Sequence, residues 1–386
     1  MTGSRKRAVI AGLAAAALAL GWQFLVVRYT FGGNWTAWFC TGGNVDQPKA
    51  LDFEHLYRFP QSDGYDGQFY HYIAHDPWFQ RGFDRYIDAP RLRYRRILVP
   101  GLAYLLALGH DHAIDGALIA VTLLFLFAGV YWSSRYVARW GCHAEWGLLF
   151  LLVPAVLVSL DRFVVDTALA ALTVAFVLYV TEENRRGIFA VLSLAPLARE
   201  TGVVLVAAYC ASLLLRRRFR SSFLFATSGL PALAWYLFVS LHTDPDGTKN
   251  WFVWVPLASM LRRMIHVRAY PFIPAVNLAT QVTDACAYLG VLLAFLLAFY
   301  RPPQKLPVSI VLAVGMMAVG GIMLGPPVWV DVFAFCRVLS PLLTLVALEA
   351  CPAQSWIRLL PLALIDPRIG LQLGYKLFLI ARTLFA

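Results

Sequence analysis

Ile188–Leu215 reads IFAVLSLAPLARETGVVLVAAYCASLLL. Two apolar runs, 188–198 and 201–215, flank the pair Arg199-Glu200. As a single helix, these 28 residues would carry an ion pair at mid-membrane. As two short helices with a hairpin at Arg199-Glu200, the pair sits at one membrane face. An unsupported charge at bilayer depth is expensive, so the hairpin is the expected form. The choice decides the side of every loop that follows.

Outward from this stretch, apolar runs recur at 113–134, 146–160, 164–180, 222–241, 274–300, 307–325 and 332–350. Near the start, Arg5, Lys6 and Arg7 precede the run Ala8–Val27. That run is longer than the apolar region of a signal peptide and no A-x-A site closes it. It is read as an uncleaved first span that begins in the cytoplasm. The 386-residue chain is 60% hydrophobic, and its mean hydropathy is +0.64. Only 14% of it is charged, where a soluble domain carries about 25%.

The expected fold is all-α, a polytopic transmembrane bundle of about 10 spans. Residues 1–350 form the transmembrane domain, with a long outer loop of interfacial or re-entrant helices at 28–112. Residues 351–386 form an amphipathic tail or an extra span.

The net charge of +11 fits Lys and Arg gathered in short cytoplasmic loops, and nucleic acid is not an expected partner. Those loops are Arg135/Arg139, Arg185/Arg186, Arg216/Arg217/Arg218/Arg220 and Arg301/Lys305. All four face the cytoplasm if the hairpin forms and 97–109 stays on the outer side. Six cysteines, at 40, 142, 210, 286, 336 and 351, form no CxxC pair, so neither a disulfide framework nor a zinc site is indicated.

This topology leaves Asp63, Asp66, Arg91–Arg96, Asp161, Arg162, Asp166, Arg199, Glu200, Asp331 and Arg337 on the outer face. Ionisable groups at membrane depth face a cavity or a partner. The stretch Ser62-Asp63-Gly64-Tyr65-Asp66-Gly67-Gln68-Phe69-Tyr70 reads as a turn entering a short helix that Pro77 bounds, with Ser62 or Asp63 as its cap. Asp66 then shares a helix face with Phe69, Tyr70 and Ile73, where a carboxylate can take the proton of an attacking hydroxyl. A plain Asp-Gly turn is the structural alternative.

Arg91, Arg93, Arg95 and Arg96 can grip phosphate bidentately or hold anionic lipid heads. Arg199-Glu200 either pins the hairpin turn or contacts a lipid phosphate, and Arg337 can do the same. Asp161, Arg162 and Asp166 suit a capping network at a helix start. His71 and His75 have the i, i+4 spacing of zinc ligands, but the sequence shows no third ligand. No metal site and no cofactor is therefore expected, and Asp63-x-x-Asp66 is too sparse for a calcium loop. A Walker A loop, a G-x-S-x-G elbow and a dinucleotide G-x-G-x-x-G are all absent from the sequence.

Tyr65-Asp66-Gly67-Gln68-Phe69-Tyr70 with Ile73-Ala74 and Asp76-Pro77 resembles a segment of bacterial integral membrane glycosyltransferases of the GT-C superfamily. Arg93-Tyr94-Arg95-Arg96-Ile97-Leu98-Val99-Pro100, Ala198-Arg199-Glu200-Thr201 and Arg337-Val338-Leu339-Ser340-Pro341 are similar to that pattern too. The likeness runs through most of 1–350. It implies a multi-pass protein of the bacterial inner membrane with an outward-facing site. The implied reaction is inverting transfer of a sugar from a polyprenyl-phosphate donor to an acceptor hydroxyl.

In that family a carboxylate of the first outer loop is the base; Asp66 matches, with Asp63 as the fallback. Many members carry two adjacent acids there, whereas here the two are three apart. The implied phosphate- and substrate-binding set is Arg93, Arg95, Arg96, Arg199, Glu200 and Arg337, with Gln68, Tyr70, Asp161, Arg162 and Asp166. Expected partners are the lipid-linked sugar and membrane lipid. The competing class is a transporter or flippase for a lipid-linked saccharide, which would use the same charges without chemistry. Inverted repeats with broken helices would favour it, and none is evident.

Overall fold

The computed structural model describes residues 3–245, 250–300 and 306–385. Arg301 and Lys305, the fourth basic loop, lie outside the described residues. The chain is 77% helical with almost no strand. Among the described residues, five helices are long and apolar enough to cross a membrane: Gly3–Thr30, Asp111–Arg139, Phe219–His242, Pro274–Phe299 and Val332–Ala353. A sixth candidate is Ala144–Leu152 plus Pro154–Arg162, bent by 61°. These mark a multi-pass membrane protein. Shorter apolar helices complete the bundle.

In chain order the helices are α1 (Gly3–Thr30), α2 (Asp66–His75), α3 (Pro90–Tyr94), α4 (Leu98–Leu106), α5 (Asp111–Arg139) and α6 (Pro154–Arg162). Then come α7 (Asp166–Thr181), α8 (Arg185–Ala198), α9 (Val203–Leu215), α10 (Phe219–Ala226), α11 (Leu230–His242) and α12 (Ala258–Ile265). The last are α13 (Pro274–Phe299), α14 (Val308–Ile322), α15 (Val332–Leu348), α16 (Ala350–Ala353) and α17 (Leu360–Phe385).

The centre of the bundle is α7 and α15. Nearly every residue of α7 is buried, and α15 lies in the stretch that is 83% buried against 22–50% for the other long spans. A helix that is apolar on all sides belongs in such a core. Around this pair, α1 packs on α5, α5 on α7, α9 on α14, and α13 on α15 and α17. The segment 351–386 is mostly α17, which runs beside α13 and α1. Its apolar character is diluted by Arg368 and Lys376, which pair with Asp284 and Asp161, each at 2.6 Å.

Ile188–Leu215 is indeed broken. Pro196 lacks a backbone N–H and Arg199 adopts an extended backbone (φ −164°, ψ 146°), ending α8. A 3-10 turn at Glu200–Gly202 leads into α9. Gly202 lies flat against α8: a Cβ there would stand 2.2 Å from the Ala195 carbonyl oxygen. The turn depends on that missing side chain.

Between α1 and α5 lies the long loop. Its first half holds 3-10 turns at Trp35–Phe39 and Lys49–Glu54, plus a two-residue parallel pairing of β1 (Thr41–Gly42) with β2 (Arg58–Phe59). Phe31, Tyr57 and Phe59 meet edge-to-face with ring centroids 5.0–5.8 Å apart. The segment 97–109 contains α4, nine residues long.

Candidate functional site

The ends of the two central helices that meet the long loop carry the charges. Asp166 opens α7, and Arg337 sits in the second turn of α15, whose start is capped by Asp331 accepting from the Ala334 N–H at 2.8 Å. The loop brings Asp66 to them. Gly67 permits this: a Cβ there would meet the Arg162 carbonyl oxygen at 2.2 Å and that of Phe39 at 2.9 Å. So α2 docks on the end of α6 at backbone contact, with Asp66 in its first turn.

Neither Ser62 nor Asp63 caps this helix, contrary to the expectation from sequence. Tyr65 occupies the cap position with an extended backbone and no side-chain bond. Ser62 Oγ accepts from Gly64 N at 3.1 Å, and exposed Asp63 accepts from Asn44 at 3.2 Å. Asp63 therefore points away, and Asp66 is the acid the fold delivers.

An alternating chain of charges follows. Asp66 Oδ2 receives Arg337 Nη2 at 2.6 Å and Arg93 Nη1 at 2.7 Å. Arg93 also forks onto Asp88 at 3.0 and 3.2 Å. Arg337 Nε stands 3.4 Å from Asp166 Oδ2, and Arg199 pairs closely with Asp166 Oδ1. Arg199 Nε is 3.7 Å from Glu200, whose carboxylate takes both Nε and Nη2 of Arg96 at 2.9 and 2.7 Å. Arg96 Nη1 donates to Tyr70 OH at 2.9 Å. Arg199 and Glu200 thus spend their strongest bonds on Asp166 and Arg96 rather than on each other.

Burial would raise the Asp66 pKa, but Arg337 and Arg93 outweigh it and hold the carboxyl well below the usual range. Burial would likewise raise the Tyr70 phenol, and Arg96 with Arg93 pull it below its ordinary value instead.

The chain of pairs is incomplete. Arg337 Nη1 and Nε, Arg199 Nε, Asp166 Oδ2 and the Tyr65 hydroxyl are buried without an aligned hydrogen-bond partner. Buried polar groups in folded proteins are normally satisfied; Arg337 Nε and Asp166 Oδ2 face each other off-axis at 3.4 Å, Arg199 Nε stands 3.7 Å from Glu200, and Arg337 Nη1 is the guanidinium donor left over after these pairs. Beside it, Arg162 lies between the rings of Tyr65 and Phe333, at 4.4 and 4.3 Å. Its neighbour Asp161 pairs with Lys376 at 2.6 Å. Tyr65, Phe333 and Lys376 were not singled out from sequence. Only the fold brings the last two here, from 333 and 376.

Two expected members stand elsewhere. The Arg95 guanidinium lies 5.4 Å over the Tyr236 ring on α11, so the arginine run divides: alternate positions face different neighbours. Gln68 is buried, accepts from Gly42 N at 3.0 Å and donates to the Asp63 carbonyl at 2.9 Å. Both ends of its amide are consumed in fastening the loop, which takes it off the substrate-binding set.

On a neighbouring face of α2, His71 and His75 do have further potential ligands, contrary to the sequence reading. Glu54 Oε2 lies 3.2 Å from His71 Nε2, and Glu54 Oε1 lies 3.0 Å from His75 Nε2. Asp115 Oδ1 lies 2.8 Å from His71 Nε2. Burial lowers the His71 pKa, but Asp115 and Glu54 more than reverse this and bring it to about 9. Burial raises Glu54, while the two histidines bring it down to about 2. An apolar cavity of about 250 Å³ near Trp140, Cys142 and Trp356 lies at the far ends of α5 and α15 and is remote from this chemistry.

No known protein family, curated protein or solved structure matches the chain.

Proposed function

We propose that the protein is a membrane glycosyltransferase of GT-C type. It moves a sugar from a polyprenyl-phosphate donor to an acceptor hydroxyl on the outer face of a bacterial inner membrane. The observation that carries this reading is the buried acid–arginine chain at the outer ends of α7 and α15, with the Arg337 Nη1 donor left over. In the reaction, the acceptor oxygen bonds to the anomeric carbon while the bond from that carbon to the phosphate oxygen breaks. The acceptor proton passes to Asp66 and the electron pair leaves on the phosphate. Arg337, with that donor, and Arg199 suit the charge that develops there. Arg93 and Arg96 complete the cationic wall. As a phosphate draws Arg337 away from Asp66, the carboxylate loses a partner and becomes a better base.

The topology behind this reading has about 10 spans, counting the short helices. Two sets of paired charges stand at opposite ends of α7. Asp166 lies at one end of α7; Glu182 lies at the other, paired with Arg135 at 2.5 Å. At 1.5 Å rise, α7 keeps them about 24 Å apart. Arg185/Arg186 and Arg216–Arg220 likewise lie a helix length from Arg199 and Glu200. The positive-inside rule then puts the charge cluster outside.

The test offers purified protein a set of polyprenyl-phosphate sugars and follows transfer. Asp66→Asn should lose about 10²–10⁴-fold in turnover, the range for a positioned base, while Asp63→Asn keeps it. Undiminished turnover in Asp66→Asn would remove the base. Saturable binding of the lipid-linked sugar with no transfer by wild type would instead assign a transporter or flippase.

A further inference from the structure

We infer that Glu54, His71, His75 and Asp115 form a closed, tetrahedral site for a zinc-type dication that clamps the long outer loop to α5. Nothing in the proposed transfer reaction uses these residues, and the inference does not depend on it.

Three separate parts of the fold converge here. Glu54 ends the 3-10 turn Lys49–Glu54, His71 and His75 are one helical turn apart on α2, and Asp115 lies in the first turns of α5. Their ligand atoms all lie within 4.8 Å of one another. A tetrahedral ion with bonds of 2.0–2.1 Å sets its ligand atoms about 3.3 Å apart. The separations from the histidine nitrogens to each other and to the carboxylates are 2.8, 3.0, 3.2 and 3.2 Å.

The ligand atoms crowd into one small space. Both carboxylate oxygens of Glu54 are buried and make no aligned hydrogen bond, despite their closeness to two ring nitrogens. His71 Nε2 and His75 Nε2 face each other at 3.2 Å. Both imidazoles are fully buried, the Glu54 side chain is 6% exposed, and Asp115, at 27%, leaves a way in from solvent.

An outer shell is present too. His75 Nδ1 lies 2.8 Å from Asp111 Oδ1, which fixes the proton on Nδ1 and leaves Nε2 free to ligate. Arg81 holds the same Asp111 oxygen at 2.7 Å. Phe39 stacks on His71 with centroids 4.0 Å apart and fixes its plane. Two neutral imidazoles and two carboxylates neutralise one dication. Four protein ligands fill a tetrahedron, which is the signature of a structural rather than a catalytic zinc site.

The full-length protein, purified in detergent without chelator, is assayed for metal by mass spectrometry. A chelator-stripped sample is titrated with Zn²⁺ and with Co²⁺. Wild type should hold about one zinc per chain, and Co²⁺ should give the intense visible bands of a tetrahedral site. His71→Ala with His75→Ala, and separately Glu54→Gln, should lose that binding; the exposed control Asp46→Asn should keep it. Asp111→Asn should weaken affinity about 10–100-fold without abolishing it. If the double alanine variant fails to fold, Glu54→Gln and the wild-type cobalt spectrum still decide. Wild type that takes up neither zinc nor cobalt would reduce the cluster to a histidine–carboxylate hydrogen-bond network and overturn the site. Unchanged stoichiometry in Glu54→Gln and in the histidine variant would place the metal elsewhere and overturn it equally.

Discussion

Arg337→Met should expose how much the Asp66–Arg337 pair holds the long loop between α1 and α5 to the bundle. The two side chains are 15% and 8% exposed and meet at 2.6 Å, so solvent screens them little. At an effective dielectric of 20 their gross attraction is about 6 kcal/mol. Desolvation cancels much of that in the intact pair, but deleting one partner strands the other charge, which costs about 3–5 kcal/mol. Asp66 keeps Arg93 at 2.7 Å, and Asp166 keeps Arg199, so the loss should lie near the lower bound, about 3 kcal/mol. Asp66→Asn alone should cost a similar amount. The double variant should cost less than the sum, with a coupling of about 2 kcal/mol. Unfolding in mixed detergent micelles, followed by tryptophan fluorescence for all four proteins, supplies the cycle. Additivity to within about 0.5 kcal/mol would mean that the two residues do not meet in the folded protein, and the charge chain would be wrong at its central link.

Other expectations follow from single contacts. Gly67→Ala should destabilise by about 1–3 kcal/mol, because the added methyl collides with backbone oxygen, while Gly116→Ala, with nothing within 4 Å, should be neutral in the same unfolding assay. Gln68→Met should cost about 1–3 kcal/mol by leaving the Gly42 N–H and Asp63 carbonyl unpaired; a variant as stable as wild type would return Gln68 to the substrate-binding set. A carboxylate whose pKa folding depresses contributes its full stability above its unfolded value of about 3.9, and loses it progressively as pH falls from there toward the lower folded value. The stability gap between wild type and Asp66→Asn should therefore stay constant from about pH 5 to 8; a gap that closes by about pH 5 would show that the arginines do not hold the carboxylate. Reporter fusions after Arg139 and Arg220 should report the cytoplasm, and a reporter active outside would invert the bundle.

The break at Arg199 was legible because a charged pair in the middle of an apolar run has one inexpensive solution. The grouping of Asp66, Asp166, Arg199 and Arg337 was legible for the same reason: each sits at the polar edge of an apolar segment, and alternation of helices puts those edges on one face. Rotation about the local axis was not. Arg95 and Arg96 are adjacent in sequence, yet one lies over Tyr236 and the other on Glu200. Gln68 entered the expected substrate-binding set only through the family resemblance, because the 3-10 and strand segments that enclose it carry no strong periodic signal. Glu54 and Asp115 lie 17 and 44 residues from His71, so no spacing rule joins them. The length of α17 was hidden because the charges that dilute its hydropathy find partners on α6 and α13, which sequence cannot show.

The docking of α2 bears on how molecules reach Asp66. One face of that short helix is tied through Asp66 and Tyr70 to α15 and the arginines, and the other through His71 and His75 to Glu54 and α5. Swinging it aside would break buried ion pairs on both faces at once, at about 3 kcal/mol or more for each stranded charge. Such an element serves as a fixed wall rather than a door. In the proposed transfer, traffic to the carboxylate then has to pass around α2, sideways between helices for a lipid tail and over the rim of the loop for a water-soluble acceptor. The two arrive from different phases and meet at a wall that stays still.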